Sequence, residues 1–276
     1  MIGDRARTYA LLAPAMGFIA IGFLLPVAWF LARSLSVKGG VGFDHYAEFF
    51  SSPLNREVFW RTLRIGLEVT LTCAAIGYAV ALAIAEGGQA ARGRWLGLIV
   101  LPLMISPVAR TYAWIVILGR TGPINNLIVG LGLSSGPLRL LFSETAIFIG
   151  LVQLFLPMMV ISLVSALENL PRDVVPAARI LGAGPVGAFF KVILPLTREG
   201  LLVGGTLVFT GSLTAYITPA ILGGSKVLML ETLLYQRVSV ADDLVSASVI
   251  GVILTGMSFA TNALLRRVAR GRSAAR

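Results

Sequence analysis

Few side chains in this chain carry reactive or ionisable groups, and most of them stand alone. Cys73 is the only cysteine and His45 the only histidine. That excludes an intramolecular disulfide, and it leaves no Cys/His set for a metal and no histidine-based triad. Cys73 sits in an apolar run and reads as an inert core thiol. "GGSK" at positions 223–226 lacks the upstream Gly and the following Ser/Thr of a phosphate-cradling loop. No catalytic residue, metal or cofactor is therefore expected on this chain. What remains is polar chemistry at apolar depth. Arg110, followed by Tyr112 and Trp114, lies midway along an apolar stretch, where a charge is costly unless paired or hydrated. Two accounts fit it. One pairs it with Glu68 or with backbone carbonyls freed near Pro102 and Pro107; the other places it on a solute pathway. Thr206, Thr210, Thr214 and Thr218 recur every fourth position, with Ser212 and Tyr216 nearby. That spacing drifts about 40° per step on a helix, giving one slowly curving hydroxyl stripe. Such a stripe either packs helices and bonds its own carbonyls, or lines a path. A cation on the path would suit a zwitterion or an anion-bearing amine better than a bare polyamine.

The segments that hold these groups are greasy. Of 276 residues, 57% are hydrophobic and 13% charged, and the mean hydropathy is +0.86. A soluble domain carries roughly a quarter charged residues, so the composition implies an integral membrane protein of all-α class. A span takes about 20 apolar residues. Six stretches qualify, at about 9–31, 65–85, 96–118, 145–167, 201–222 and 246–265, in one transmembrane domain over 1–276. The first, although preceded by Arg5 and Arg7, is too long for a signal-peptide core and reads as an uncleaved helix. The net charge of +10 gathers at span ends and in the tail "RRVARGRSAAR", which fits the positive-inside rule and not a nucleic-acid groove. Both termini are expected in the cytoplasm, and so is the loop at about 168–198.

That loop reads "ENLPRDVVPAARILGAGPVGAFFKVILPLTREG". Pro171, Arg172 and Asp173 suit the first turn of a helix, where a proline loses no hydrogen bond and an acid meets the positive end of the dipole. Val174, Val175, Ala178 and Leu181 give it an apolar face, and Gly182, Gly184 and Pro185 stop it. A second helical piece ends at Pro195. The first helix is too short to span and is expected to lie across the cytoplasmic ends of the spans. Its small residues, Ala177, Ala178, Gly182 and Ala183, permit close approach of another surface. An interfacial helix that only anchors the loop is the alternative.

Pro176-Ala177-Ala178, then Gly182, then Val192-Ile193-Leu194-Pro195 ten positions on, resembles the "EAA" loop of ATP-binding-cassette importer permeases. Pro176 replaces the usual Glu and Val192 the usual Ile. The resemblance implies a coupling helix that docks on a cytoplasmic ATPase, with Pro176, Ala177, Ala178, Arg179, Leu181, Gly182, Ala183, Leu194 and Pro195 at the contact. "SPVARTYAW", "GPINNLIVGLGL", "LFSETAIFIGLVQLFLPMMV" and "YITPAILGGSK" are similar to permeases of the spermidine/putrescine type. That branch implies import of a small amine-bearing solute: a polyamine, an opine- or amino-acid-like compound, or an aminophosphonate. It also implies a bacterial inner membrane, a second six-span permease subunit in a heterodimer, and an extracytoplasmic solute-binding protein. Two ATPase subunits would carry ATP and Mg. The spans flanking the coupling loop usually border the path in this family, which adds Thr210, Thr214 and Tyr216 to Arg110, Tyr112, Trp114 and Glu68. A stand-alone secondary transporter or channel is the alternative; it needs intramembrane acids, and Glu68 is the single candidate.

Overall fold

The computed structural model describes residues 12–37, 40–171 and 173–270. Positions 1–11, Lys38, Arg172 and the end of the basic tail lie outside the described residues, so the start of the first expected span and part of the charge argument rest on sequence alone. In chain order the helices are α1 (Leu12–Leu35), α2 (Asp44–Ser51), α3 (Pro53–Glu86), α4 (Gln89–Val100), α5 (Pro107–Leu118), α6 (Pro123–Gly130) and α7 (Glu144–Glu168). They continue with α8 (Val174–Ile180), α9 (Pro185–Leu196), α10 (Arg198–Leu213), α11 (Ile217–Leu222), α12 (Leu230–Ser239) and α13 (Leu244–Arg270). One two-residue antiparallel pair, β1 (Ser36–Val37) with β2 (Gly40–Val41), closes a turn after α1. The fold is all-α and polytopic. Four helices are long and apolar enough to cross a membrane, or up to six if each of two bent pairs is one span.

Local chemistry sets most boundaries. Proline opens α5, α6 and α9, where its missing N–H is no loss. Ser143 caps α7 by accepting from the Ala146 N–H at 3.2 Å, with Glu144 in the first turn. Two π-helical turns, Ala20–Leu24 in α1 and Phe189–Ile193 in α9, each end two residues before a proline, Pro26 and Pro195. A ring that supplies no N–H and crowds the preceding turn widens the ladder there.

The contacts form two compact units. One comprises the chain up to Glu57 with Leu234–Thr255, and the other Val58–Leu233 with the chain from Gly256. In the first, Ser34 and Tyr46 share a 2.8 Å hydroxyl bond, and a Cβ at Gly251 would lie 2.7 Å from Phe30. None of the membrane-length window of α1 is buried, and Phe18 is 79% exposed, as suits a face turned to lipid.

The second unit holds the core. Ile65, Val69, Cys73 and Tyr78 of α3 pack with Leu151, Phe155, Met159 and Leu163 of α7 and with Val208 of α10. Glycine makes the approach possible. A Cβ on Gly200 would sit 2.4 Å from the Ala166 Cβ and 2.8 Å from the Ser162 carbonyl oxygen, and one on Gly211 would sit 2.4 Å from the Phe155 ring. Ser162 donates to the Gly200 carbonyl at 2.7 Å across the same seam. Cys73 is buried and free, as a core thiol should be.

Two expected spans are not continuous helices. The third breaks between Met104 and Pro107, and its two arms meet at 93°. Pro107 lacks the N–H that would bond the Leu103 carbonyl, and it turns Ser106 to ψ 130°, out of the helical region. The fifth begins at Arg198, ends at Leu213 and resumes as α11 after a break at residues 214–216. Pro219 restarts it.

Candidate functional site

The short helix α8 begins at Val174, later than its sequence suggests. Asp173 occupies the cap position without a side-chain bond, and Pro171 accepts from the Val174 N–H at 3.2 Å in a preceding turn. The stop is sharp. Gly182 takes φ +84°, its N–H bonds the Arg179 carbonyl at 3.0 Å, and the Ala183 N–H bonds the Ala178 carbonyl at 3.0 Å. This pair of bonds is the Schellman arrangement, which needs a residue tolerant of the left-handed region. Ala178 is the buried foot of the helix. Pro176, Ala177, Arg179, Ile180 and Leu181 are exposed, with Ile180 at 86% and Leu181 at 87%. A Cβ at Gly182 would meet nothing within 4 Å, so its backbone lies open. Sequence reasoning put Leu181 on the apolar face and at the coupling contact, and missed Ile180. The structure leaves both branched side chains bare, since one buried alanine suffices to seat seven residues.

Two contacts tie other helices to one another near the same end. Arg92 of α4 pairs with Glu168, the last residue of α7, at 2.7 Å. The Tyr78 and Thr197 hydroxyls meet at 2.9 Å, joining α3 to the junction of α9 and α10, and Phe189 packs edge-on against Tyr78. Leu194 is half-buried and Pro195 exposed on the piece that leads into α10.

The polar groups expected along a path are distributed as follows. Arg110 sits in the first turns of α5 and donates from Nη1 to the Pro102 carbonyl at 3.0 Å, across the break between the arms. That carbonyl also accepts from the Ile105 N–H at 3.3 Å. Of the two structural partners expected for Arg110, the backbone is the one it has. Glu68 instead faces Arg64 at 3.7 Å, and Arg64 also pairs with Glu144. Arg61 completes this network, with Nε 2.7 Å from Glu144 and Nη1 3.2 Å from the Leu228 carbonyl. Arg64, Glu68 and Glu144 border a cavity of about 550 Å³ with Thr72 and Phe148. Trp114 donates to Gln153 at 3.4 Å, and Tyr112 is exposed.

The threonine stripe is interrupted. Thr214 follows the end of α10 and donates to the Thr210 carbonyl at 3.0 Å, while the Thr210 hydroxyl is buried with no partner among the described residues. Thr218 lies on α11, buried against Gly150 of α7. Tyr216 is half-buried at the break. The close contacts between α7 and α10 fall to Gly200, Gly204 and Gly211, while Thr218 makes the contact of α11 with α7 at Gly150. Between α7 and α10 a largely apolar groove of about 630 Å³ opens beside Met158, Ser165, Asn169, Glu199 and Val203.

Apolar helices of membrane length, broken ones among them, with part-exposed arginine and carboxylate groups between them and one exposed short helix, are the build of an integral membrane protein. The chain belongs to the family described as binding-protein-dependent transport system inner membrane component, whose model matches residues 74–273. It is 34% identical to the spermidine/putrescine transport system permease protein PotB of Haemophilus influenzae over 239 residues, 84% of this chain and 83% of that one. PotB of Escherichia coli is 30% identical over 222 residues, 78% of this chain and 80% of that one. In architecture it matches a chain of a bacterial alginate ABC transporter, solved in complex with an alginate pentasaccharide-bound periplasmic protein. There the TM-score is 0.79 at 17% identity, covering 98% of this chain and 96% of that one. The chain is an inner-membrane permease subunit of the ATP-binding-cassette importers, of spermidine/putrescine type.

Proposed function

We propose that this chain forms half of the membrane path of an ATP-driven importer for polyamines, taking its solute from an extracytoplasmic binding protein. The carrying observation is the 34% identity to a spermidine/putrescine permease over more than four-fifths of both chains. Arg110 donates to the Pro102 carbonyl beside the break, which supports its structural role there.

In this reading α8 is the coupling helix. The exposed Ile180 and Leu181 enter an apolar groove on an ATPase subunit, and the open backbone at Gly182 lets that subunit approach closely. Two such ATPase subunits hold ATP and Mg, and a second permease subunit of different sequence completes the path. Both termini and α8 face the cytoplasm. ATP binding closes the ATPase pair, and α8 passes that motion through the Arg92–Glu168 tie and the Tyr78–Thr197 contact to α7, α10 and α3.

The test is reconstitution of this chain into proteoliposomes with the second permease, the ATPase and the binding protein of its own operon. Radiolabelled spermidine is expected to accumulate only with ATP on the ATPase side and binding protein on the other. Uptake that persists without the ATPase would establish a stand-alone transporter instead.

A further inference from the structure

At the end of α7 opposite α8, three cations from three separate segments line one cavity of about 380 Å³. Arg120 follows α5, Arg139 precedes α7 and Lys226 follows α11. The 25 residues of α7 rise roughly 37 Å between this cavity and the loop that carries α8. Leu118, Leu140 and Leu141 supply an apolar wall, and Leu118 is buried.

The backbone that carries the three cations is held in place. Asn125 of α6 is 1% exposed. Its Nδ2 donates to the Gly119 carbonyl at 2.9 Å and to the Leu138 carbonyl at 3.1 Å, and its Oδ1 accepts from the Leu138 N–H at 2.8 Å. One buried amide therefore staples the residues just before Arg120 and Arg139. Phe142 takes φ +56° and Gly224 φ +59°, and a Cβ on Gly224 would come within 2.8 Å of the Phe142 ring. That contact fixes the turn bearing Lys226 against the same wall. None of the three cations pairs with a carboxylate among the described residues. Glu144, two positions beyond Phe142, is committed to Arg61 and Arg64.

Like charges fixed around one cavity repel each other, and loops needing only solubility would leave them free to spread. We propose that this cavity is a docking pocket for an acidic side chain on the solute-binding protein. This rests on the importer reading, which places the cavity on the extracytoplasmic side. The apolar wall accepts the methylenes of a glutamate, and the three cations surround its carboxylate. A cationic solute is repelled here, so the pocket grips the deliverer and not the cargo. Lipid phosphates would be met by cations on the lateral faces of helices, whereas these line a recess formed by loops.

The test uses the assembled transporter in nanodiscs and its purified binding protein, with Kd measured against salt. The triple variant R120Q/R139Q/K226Q is expected to weaken binding at low salt at least tenfold and to flatten its salt dependence. R120K/R139K is expected to retain most of it. Co-purification of the ATPase subunits with each variant checks folding. Equal Kd and equal salt slope for wild type and triple variant would overturn the pocket. So would a loss seen in phosphatidylglycerol nanodiscs but absent in phosphatidylcholine ones, which would assign the cations to lipid headgroups. A wild-type complex that binds no binding protein at all would sink the importer reading along with it.

Discussion

At the scale of single residues, three side chains carry clear consequences. Gly182 ends α8 in the left-handed region, where a Cβ is opposed by the following carbonyl at roughly 1–2 kcal/mol. Gly182→Val is expected to unwind the stop and lower ATPase co-purification, while Gly182→Asn, which tolerates that conformation, keeps most of it. Equal co-purification of both with wild type would remove α8 from the coupling surface. Arg110 bonds a backbone carbonyl and Glu68 bonds Arg64, so the two share no partner. Their charge-neutralising changes to Gln are expected to add in uptake and melting assays, with a coupling below about 0.5 kcal/mol. A rescue of Arg110→Gln by Glu68→Gln would restore the direct pair. Asp243 accepts from the Ser246 N–H at 3.0 Å at the start of α13. Burial pushes its carboxyl up, but the Ser246 and Val245 bonds and the Arg237 charge together hold it below the usual carboxylate range. A depressed carboxyl stabilises the fold above its unfolded pKa and loses that contribution as pH falls through the folded value. Asp243→Ala is therefore expected to lower stability by about 1 kcal/mol at pH 7. The difference from wild type should vanish in the acid range, below the usual carboxylate pKa; a gap unchanged there would show that the charge is irrelevant.

At the scale of elements, the α7–α10 seam and the two breaks govern the architecture. Gly200 has no room for a Cβ against Ala166 and Ser162. Gly200→Leu is expected to force the helices apart and lower the stability of the detergent-purified subunit by about 1–3 kcal/mol. Gly130→Leu, where a Cβ meets nothing, is the matched control. If the two variants melt alike, the seam is not where the helices meet. The breaks at 105–106 and 214–216 were half legible in the sequence. Pro102 and Pro107 announce the first, because two missing donors close together leave little ladder to carry across. The second is marked only from beyond it, by Pro219, whose ring crowds the Ala215 carbonyl; Thr214, Ala215 and Tyr216 are themselves ordinary in a helix, and the fourfold threonine spacing suggested continuity. Burial of Thr218 against Gly150 wins over that periodicity by turning α11 onto α7.

At the scale of the whole chain, α7 separates two ends with different work, α8 with its bare Ile180 and Leu181 and the cation-lined recess of Arg120, Arg139 and Lys226. In a Cys73→Ala background, Val186→Cys and Ser225→Cys place exposed thiols at these ends. In intact cells opened only at the outer membrane, an impermeant maleimide is expected to label Ser225→Cys and to spare Val186→Cys. Reversed labelling would invert the topology. The sequence by itself determined the membrane class, the all-α fold and the short helix with its stop, because hydropathy, proline and glycine act within a few residues of where they stand. It also carried the family resemblance, since the pattern from Pro176 to Pro195 is contiguous. Only the tertiary structure decided which charge meets which. Arg64 reaches Glu144 across 80 positions; one buried asparagine brings Arg120 and Arg139 together, and the Gly224–Phe142 contact adds Lys226 from a third loop. Ion pairing and like-charge clustering depend on distance in space, and glycine contacts between helices that are remote in sequence set those distances.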